Sequence, residues 1–331
     1  MKLILDTVTP VHIGSGENIE PYEYVITDKF YKINLDKFIE SLEEQDRNNF
    51  LEISAKNLVQ ARQFIKNKAN LALIKEYTAK VSEEVRKTYN TKIIDPKSEL
   101  SIQTFIKSMD KPFLPGSSVK GAIRTALLWY CAEKELQREY PHNIEQKLFK
   151  YKNPQDDPFR ALKISDSGFI PEEKMQIYNI KTYTKRASLF NELGFNIFIE
   201  GTNAYFPDGK SEMVSFVHTL HLDDSLQKYN YLNIKLSPDI IIKACKEFYG
   251  ALIANELEFF RGESAEGVYL ELEKLKGLIK DKSNRFLLRI GWGSQFDGVT
   301  INLAMQNRDL KKSRKLINSK YPLGWILAEI K

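Results

Sequence analysis

One stretch limits the possible folds more than any other: Phe113-Leu114-Pro115-Gly116-Ser117-Ser118-Val119-Lys120-Gly121-Ala122-Ile123-Arg124-Thr125-Ala126-Leu127. Pro115-Gly116 makes a tight turn, and Ser117 or Ser118 can cap the first amides of a helix that starts there. Val119, Ala122, Ile123, Ala126, Leu127 and Tyr130 recur at helical spacing and give one continuous apolar face. Lys120 and Arg124, four apart, lie on the other side within the first turns. Free N–H groups, the positive end of the helix dipole and two cations then point one way, an arrangement that suits a phosphate. The competing expectation is a well-capped core helix whose two basic residues are merely solvated. The spacing of Gly116 and Gly121 imitates half a P-loop, but Ala122-Ile123 follow the second glycine where Lys and Ser or Thr are required, which excludes a nucleotide triphosphatase of that kind.

Composition narrows the classes that remain. The chain has 331 residues, 42% hydrophobic and 28% charged, enough for one large or two smaller globular domains. Its 49 Lys+Arg against 44 Asp+Glu leave a formal charge of +5, which permits a polyanionic partner without demanding one. Cys131 and Cys245 each fall inside a helical apolar pattern, so two buried thiols in a reducing compartment are expected. His12, His142, His218 and His221 are scattered and no Cys-x-x-Cys occurs, so neither a metal nor another cofactor is expected. The N-terminus opens on a strand without a signal-peptide pattern, and no apolar run reaches membrane-spanning length. These features predict a soluble, cytoplasmic protein with no membrane partner.

In chain order, Lys2 to Val8 reads as a first strand and runs into Thr9-Pro10-Val11-His12-Ile13-Gly14-Ser15-Gly16-Glu17, a glycine loop or a bulge. Tyr22–Ile26 and Lys29–Leu35 form a hairpin about Thr27-Asp28. From 36 to about 92 the chain is helical in character, an insertion into a strand-loop-helix unit. Leu100–Ile106 returns to strand. Asn153-Pro154-Gln155-Asp156-Asp157-Pro158 reads as a boundary between domains 1–153 and 154–331. Beyond it, Phe159–Ser167, Met175–Tyr183, Asn196–Glu200 and Val214–Leu222 read as strands. Helices follow at Asp239–Phe260 and Tyr269–Lys280, then a strand at Arg285–Ile290. Gly291-Trp292-Gly293-Ser294-Gln295-Phe296-Asp297-Gly298 is a second glycine loop, Val299–Met305 a helix, Lys311–Lys315 a solvated basic loop and Trp325–Ile330 a last strand. Lys181, Lys185 and Arg186 interleave with Tyr178 and Tyr183. That mixture is what a nucleic-acid-facing sheet needs for phosphate contact and base stacking, although exposed Lys and Tyr also protect edge strands. The fold class is α+β.

Three stretches carry a family resemblance: Thr9–Gly16, Phe113–Thr125 and Ile290–Ser294. Their order resembles the repeat-associated RNA-binding superfamily of CRISPR systems, the RAMP or Cas7-like proteins, which use ferredoxin-like (RRM-like) domains. Asp157-Pro158-Phe159-Arg160-Ala161-Leu162-Lys163-Ile164-Ser165-Asp166-Ser167 looks like the Csm-type subunits that cap the head end of type III-A effector complexes. The resemblance covers about the whole chain. It implies two ferredoxin-like domains, the first carrying the large helical insertion.

It also implies a non-catalytic antiviral subunit that binds the 3′ part of the CRISPR RNA, packs against neighbouring Csm backbone and small subunits, and assists 3′ maturation, with a host nuclease as a further partner. Carried over, Ser117, Ser118, Lys120 and Arg124 contact RNA phosphates, and Lys185 and Arg186 join them from the sheet. Gly14, Ser15 and Gly16, with Gly291, Trp292, Gly293 and Ser294, let RNA or a neighbouring subunit approach the backbone closely. Trp292 would stack on a base or serve as a buried anchor. Relatives that cut target RNA carry an aspartate after the first glycine motif, whereas Asn18–Tyr24 offers only glutamates. The alternative is a metal-independent processing endoribonuclease with His12 as general base and Lys120 near it.

Overall fold

The computed structural model describes residues 1–132, 144–149, 151–186, 189–227, 235–279, 284–299 and 313–331. Among them the chain forms β1 (Lys2–Thr7), β2 (Gly14–Ile19), β3 (Tyr24–Ile26), β4 (Phe30–Ile33), β5 (Lys75–Val81), β6 (Ile102–Phe105), β7 (Lys107–Ser108) and β8 (Lys111–Pro112). These continue as β9 (Leu162–Ile164), β10 (Met175–Arg186), β11 (Leu189–Thr202), β12 (Ser215–Leu222), β13 (Arg285–Arg289), β14 (Ser313–Ile317), β15 (Tyr321–Pro322) and β16 (Trp325–Ile330). The fold is α+β and of ferredoxin-like type.

One antiparallel sheet runs β13-β16-β1-β12-β9. The alternation of buried Leu3, Leu5 and Thr7 with less buried neighbours in β1, and of buried Phe216, His218 and Leu220 with exposed neighbours in β12, turns one face of it inward. On that face lie the helix Gly116–Ala132, whose apolar stripe is buried as its spacing predicts, and the helix Pro238–Phe259. The second helix carries Ser237 as N-cap and Pro238 in its first turn. The two pack on each other, and Tyr249 donates its hydroxyl to the carbonyl of Ala122 across the seam at 3.1 Å. With β16 as fourth strand, the path β1, helix, β9, β12, helix, β16 reproduces the split β-α-β arrangement of the ferredoxin-like fold.

The second sheet runs β2-β6-β11-β10-β5-β4-β3, with β14 and β15 attached through β10. It corrects several expectations. The region 36–92 is not wholly helical, because Lys75–Val81 pairs with β4 and, in parallel, with β10. Strand β10 is central, so its aromatic and basic residues do not protect an edge. Tyr178 is fully buried, donating to the Thr202 carbonyl and to Asp208. The basic run ends in a strand: Ser313–Ile317 pairs with β10, and Arg314 is buried rather than solvated. Lys311, Lys312 and most of the expected helix Val299–Met305 lie outside the described residues, as does Lys280. Cys245 is buried, but Cys131 is only half-buried. No helix among the described residues is long and apolar enough to cross a membrane.

Both sheets take strands from each side of Asn153, so the expected boundary at 153/154 does not separate one sheet from the other. The insertion keeps a core of its own, built on Phe38, Phe50, Ala61, Ile65 and Ile74. The C-terminal half is tied by a buried charge cluster. Arg314 donates to Glu256 at 2.7 Å and to Asp297 at 2.9 Å, and Arg289 reaches the second Glu256 oxygen at 3.7 Å. Replacing Arg314 with Met takes its charge away from two buried carboxylates, Glu256 and Asp297, so the variant should lose about 3 kcal/mol in urea unfolding.

Candidate nucleic-acid interface

The start of the helix Gly116–Ala132 is built by a partner fifty residues away. Gly116 donates its N–H to Asp166 Oδ1 at 2.8 Å, and Leu114 donates to Ser167 Oγ at 2.9 Å. Ser118 and Val119 turn back to the Pro115 carbonyl. The cap is therefore Asp166, not Ser117 or Ser118, which lie inside the first turn. The first of the amides that the sequence offered to a phosphate, that of Gly116, already faces a carboxylate. Gly116 is fixed there by contact: a Cβ would stand 2.3 Å from the Ile164 carbonyl oxygen.

The two cations of this helix part company. Arg124 is clamped, donating to both oxygens of Glu145, to Asp157 at 2.6 Å and to Tyr151, with its guanidinium over the Phe159 ring. Burial alone would lower its pKa, but the hydrogen bonds and charges of Glu145 and Asp157 outweigh that and raise it. Lys163, close by, is held by Asp223 at 2.8 Å. Lys120 is half-buried with no carboxylate in ion-pair range among the described residues. Burial lowers its pKa, and Arg124 and Lys163 add to this against the opposing pull of Asp157. Of this basic cluster, Lys120 is the cation left over.

The two glycine stretches meet. Gly291, at φ 64°, lies so close to the His12 carbonyl that a Cβ would come within 2.3 Å of its oxygen, and Trp292 donates its N–H to the same oxygen at 3.0 Å. Gly14, Ser15 and Gly16 are exposed, not as a loop but as the irregular start of the edge strand β2. Gly291 to Ser294 form one turn of 3₁₀-helix. Trp292 is half-buried, edge-on to His12, with the Lys315 ammonium 3.6 Å over its ring. Lys315 has no carboxylate in range among the described residues, and burial lowers its pKa. Sequence reading missed it because it sits in a basic run otherwise resembling a surface loop. No described hydrogen bond or ring contact joins this junction to the helix start at Gly116.

His12 is 1% exposed and wedged edge-on between Phe105 and Trp292. Its Nδ1 lies 2.7 Å from the Glu200 carbonyl oxygen, which can only accept, so the ring keeps its proton on Nδ1. Glu200 is a second residue that the sequence did not single out. Its buried carboxylate accepts from the Phe105 N–H at 2.8 Å, from Tyr77 and from Lys107. Lys120 is not among the groups that bear on His12. Lys185 is also committed, donating to the Phe259 carbonyl at 2.6 Å between the rings of Phe190 and Phe259. Arg186 pairs through its backbone with Leu189. Tyr183 bonds to Glu192 and Ser319, and Lys181 to Glu84 and Glu192.

Against this geometry, comparison with known proteins gives a consistent picture. The family model of the RAMP superfamily matches residues 4–295. A relative from Methanocaldococcus jannaschii, called CRISPR system Cms protein Csm5, is 24% identical over 91% of this chain and 72% of its own length. A protein of the same name from Streptococcus thermophilus is 28% identical over 38% of this chain and 37% of its length. A chain in the cryo-EM structure of a Csm-crRNA-target RNA ternary complex of a type III-A CRISPR-Cas system superposes with a TM-score of 0.73 at 18% identity, covering 99% of this chain and 100% of that one. The crystal structure of T. onnurineus Csm5 superposes with a TM-score of 0.63 at 18% identity, covering 98% and 99%.

His12 and His218, the latter bonded through Nδ1 to the Ser165 carbonyl, both have pKa values lowered by burial. A lowered histidine pKa means that the unfolded chain binds protons more readily. Their contribution to stability is therefore complete above about pH 6.5 and is lost as pH falls below it. Unfolding free energies from urea titrations should fall between neutral pH and about pH 5.5, and His218→Gln should flatten the profile.

Proposed function

The chain belongs to the RAMP superfamily, and we propose that it is an RNA-binding subunit of a type III-A (Csm) CRISPR effector complex, capping the end that holds the 3′ part of the CRISPR RNA. The observation that carries this reading is the superposition over essentially the full length of both chains on a subunit of a Csm-crRNA-target RNA complex. Neighbouring Csm subunits and the CRISPR RNA are then its partners, and its contribution to 3′ maturation is to hold that end in place for a separate nuclease.

The residues divide by what they have free to offer. Lys120 and Lys315, both without a carboxylate partner among the described residues, would meet phosphates, and Ser117 is exposed one turn from Lys120. Gly14, Ser15 and Gly16 leave a bare strand edge against which a ribose-phosphate chain or a neighbouring backbone can lie. Gly291, Gly293 and Ser294 shape the turn that sets Trp292 and Lys315 beside it. Arg124 and Lys185 brace the fold from within, and their effect on RNA would pass through the positions of Lys120 and β10. A catalytic role for His12 is disfavoured by its burial and by its committed Nδ1, which keep this imidazole from a 2′-hydroxyl.

Co-expressed with the other Csm subunits and a CRISPR array, the tagged chain should elute with both subunits and guide RNA. Lys120→Ala with Lys315→Ala should weaken RNA retention about tenfold and reduce the salt slope by roughly one per lost phosphate contact. Incubated with repeat RNA in the absence of metal, the chain should leave the RNA intact. Elution alone, with neither RNA nor subunits, contradicts the proposal.

A further inference from the structure

Three large aromatic rings are exposed among the described residues, those of Phe169, Phe195 and Tyr205, and of these Phe169 alone carries a cation. Its ring is 53% exposed, with the Lys111 ammonium 5.5 Å from the ring centroid. Lys111 has no carboxylate in ion-pair range, and no other ring stacks on Phe169, among the described residues. Tyr205 packs edge-on against Phe206. Trp292, the ring that the sequence put forward, is half-buried with Lys315 at 3.6 Å over it.

Main chain holds this ring and this cation side by side. Phe169 forms an antiparallel bridge with Phe113, Ile170 donates its N–H to the Pro112 carbonyl at 2.7 Å, and Ser167 donates to the Leu114 carbonyl at 3.0 Å. Lys111 enters the same strap from the β7–β8 hairpin, which closes in two residues, Met109 and Asp110, at φ 49° and 59°. Non-glycine residues pay for that conformation in strain. Three residues beyond Phe113 the strap becomes Gly116, the start of the helix that carries Lys120. Of the two acids in these segments, Asp166 is taken by the Gly116 N–H at 2.8 Å and Asp110 lies at the hairpin tip.

We propose that Phe169 is a stacking platform for one unpaired base of the bound RNA, with Lys111 meeting the phosphate beside it. An exposed ring next to a cation free of carboxylates is the pairing that single-stranded nucleic acid uses, base on ring and phosphate on ammonium. A protein anchor instead sits at the centre of an apolar patch. Here Ser165 and Gly168, which lead up to the ring, are exposed, Ile170 after it is buried, and Met109 at the hairpin tip is the one other exposed apolar side chain of the two segments. Stacking on a ring needs a base whose face is uncovered, so the platform selects a single strand over a duplex. Every base has such a face, so it selects no sequence. The inference deepens the RNA-binding reading above and rests on it.

The full chain is titrated with a single-stranded RNA containing 2-aminopurine, whose fluorescence falls when it stacks, and with the same RNA annealed to its complement. The single strand should bind with quenching. Phe169→Ala and Phe169→Leu should each reduce the quench and weaken binding about tenfold, with the salt dependence unchanged because stacking releases no counter-ions. Phe169→Leu keeps an apolar side chain in place, so its loss of binding cannot be a loss of fold, and Phe169→Trp should keep the quench. Lys111→Ala should lower the salt slope by about 0.7, the value for one phosphate contact to a single strand. The duplex should bind the parent and Phe169→Leu alike. The inference is overturned if Phe169→Leu binds and quenches the single strand as the parent does, or if it weakens single strand and duplex equally. It is also overturned if Phe169→Leu holds RNA normally but frees a neighbouring subunit from the co-expressed complex, which makes the ring a protein contact. A parent chain that binds no RNA overturns the RNA-binding reading as well; a parent that binds beside an unaffected Phe169→Leu overturns this inference alone.

Discussion

Three backbone segments lie against one another with no side chain between them, and the relation of the two sheets depends on that contact. Trp292 donates to the His12 carbonyl, Gly324 to the Pro10 carbonyl and Ile290 to the Gly324 carbonyl, at 2.9–3.0 Å. A Cβ at Gly291, Gly293 or Gly324 would come within 2.6 Å of a backbone oxygen. Segment 10–13 leaves the first sheet here and enters the second. Glycine is thus required because main chain must touch main chain. The junction leaves Gly14 to Gly16 bare on one side and seats Trp292 on the other.

What the sequence disclosed follows from this physics. Periodic elements were legible: β1, β12, β16, the helix from Gly116 and the helix from Pro238 all show their buried faces in their spacing. The close approach at Gly291 was legible in kind. Strand β5 was not, because Lys75-Glu76-Tyr77-Thr78-Ala79-Lys80-Val81 shows neither a clean alternation nor a turn signal at its start. It is a strand because β4 and β10 supply ladder partners on both sides. Strand β14 was hidden for the same kind of reason. Arg314 reads as a surface residue until Glu256 and Asp297, from two distant segments, are seen to enclose it.

The charged residues show the same limit on the candidate site. A motif gives the type of side chain but not what neutralises it. Lys120 and Arg124 look equivalent in sequence, yet Glu145 and Asp157 take up Arg124 and leave Lys120. The serines looked like the cap, yet Asp166 takes that place because β9 ends against Gly116. Lys185 has the residue type of an RNA contact, but the Phe259 carbonyl and two aromatic rings hold it. A net charge of +5 is therefore a poor guide to the basic surface, since much of the positive charge is matched within the fold.

Two half-buried cations beside the candidate interface have no carboxylate in ion-pair range among the described residues. Lys120 and Lys315 are half-buried beside polar or glycine-rich backbone, where an extended anionic chain could lie across them. A chain that must hold a polyanion and pack against proteins at once can leave such cations to the polyanion while its ion-paired charges brace the fold. The insertion keeps a hydrophobic core of its own apart from them.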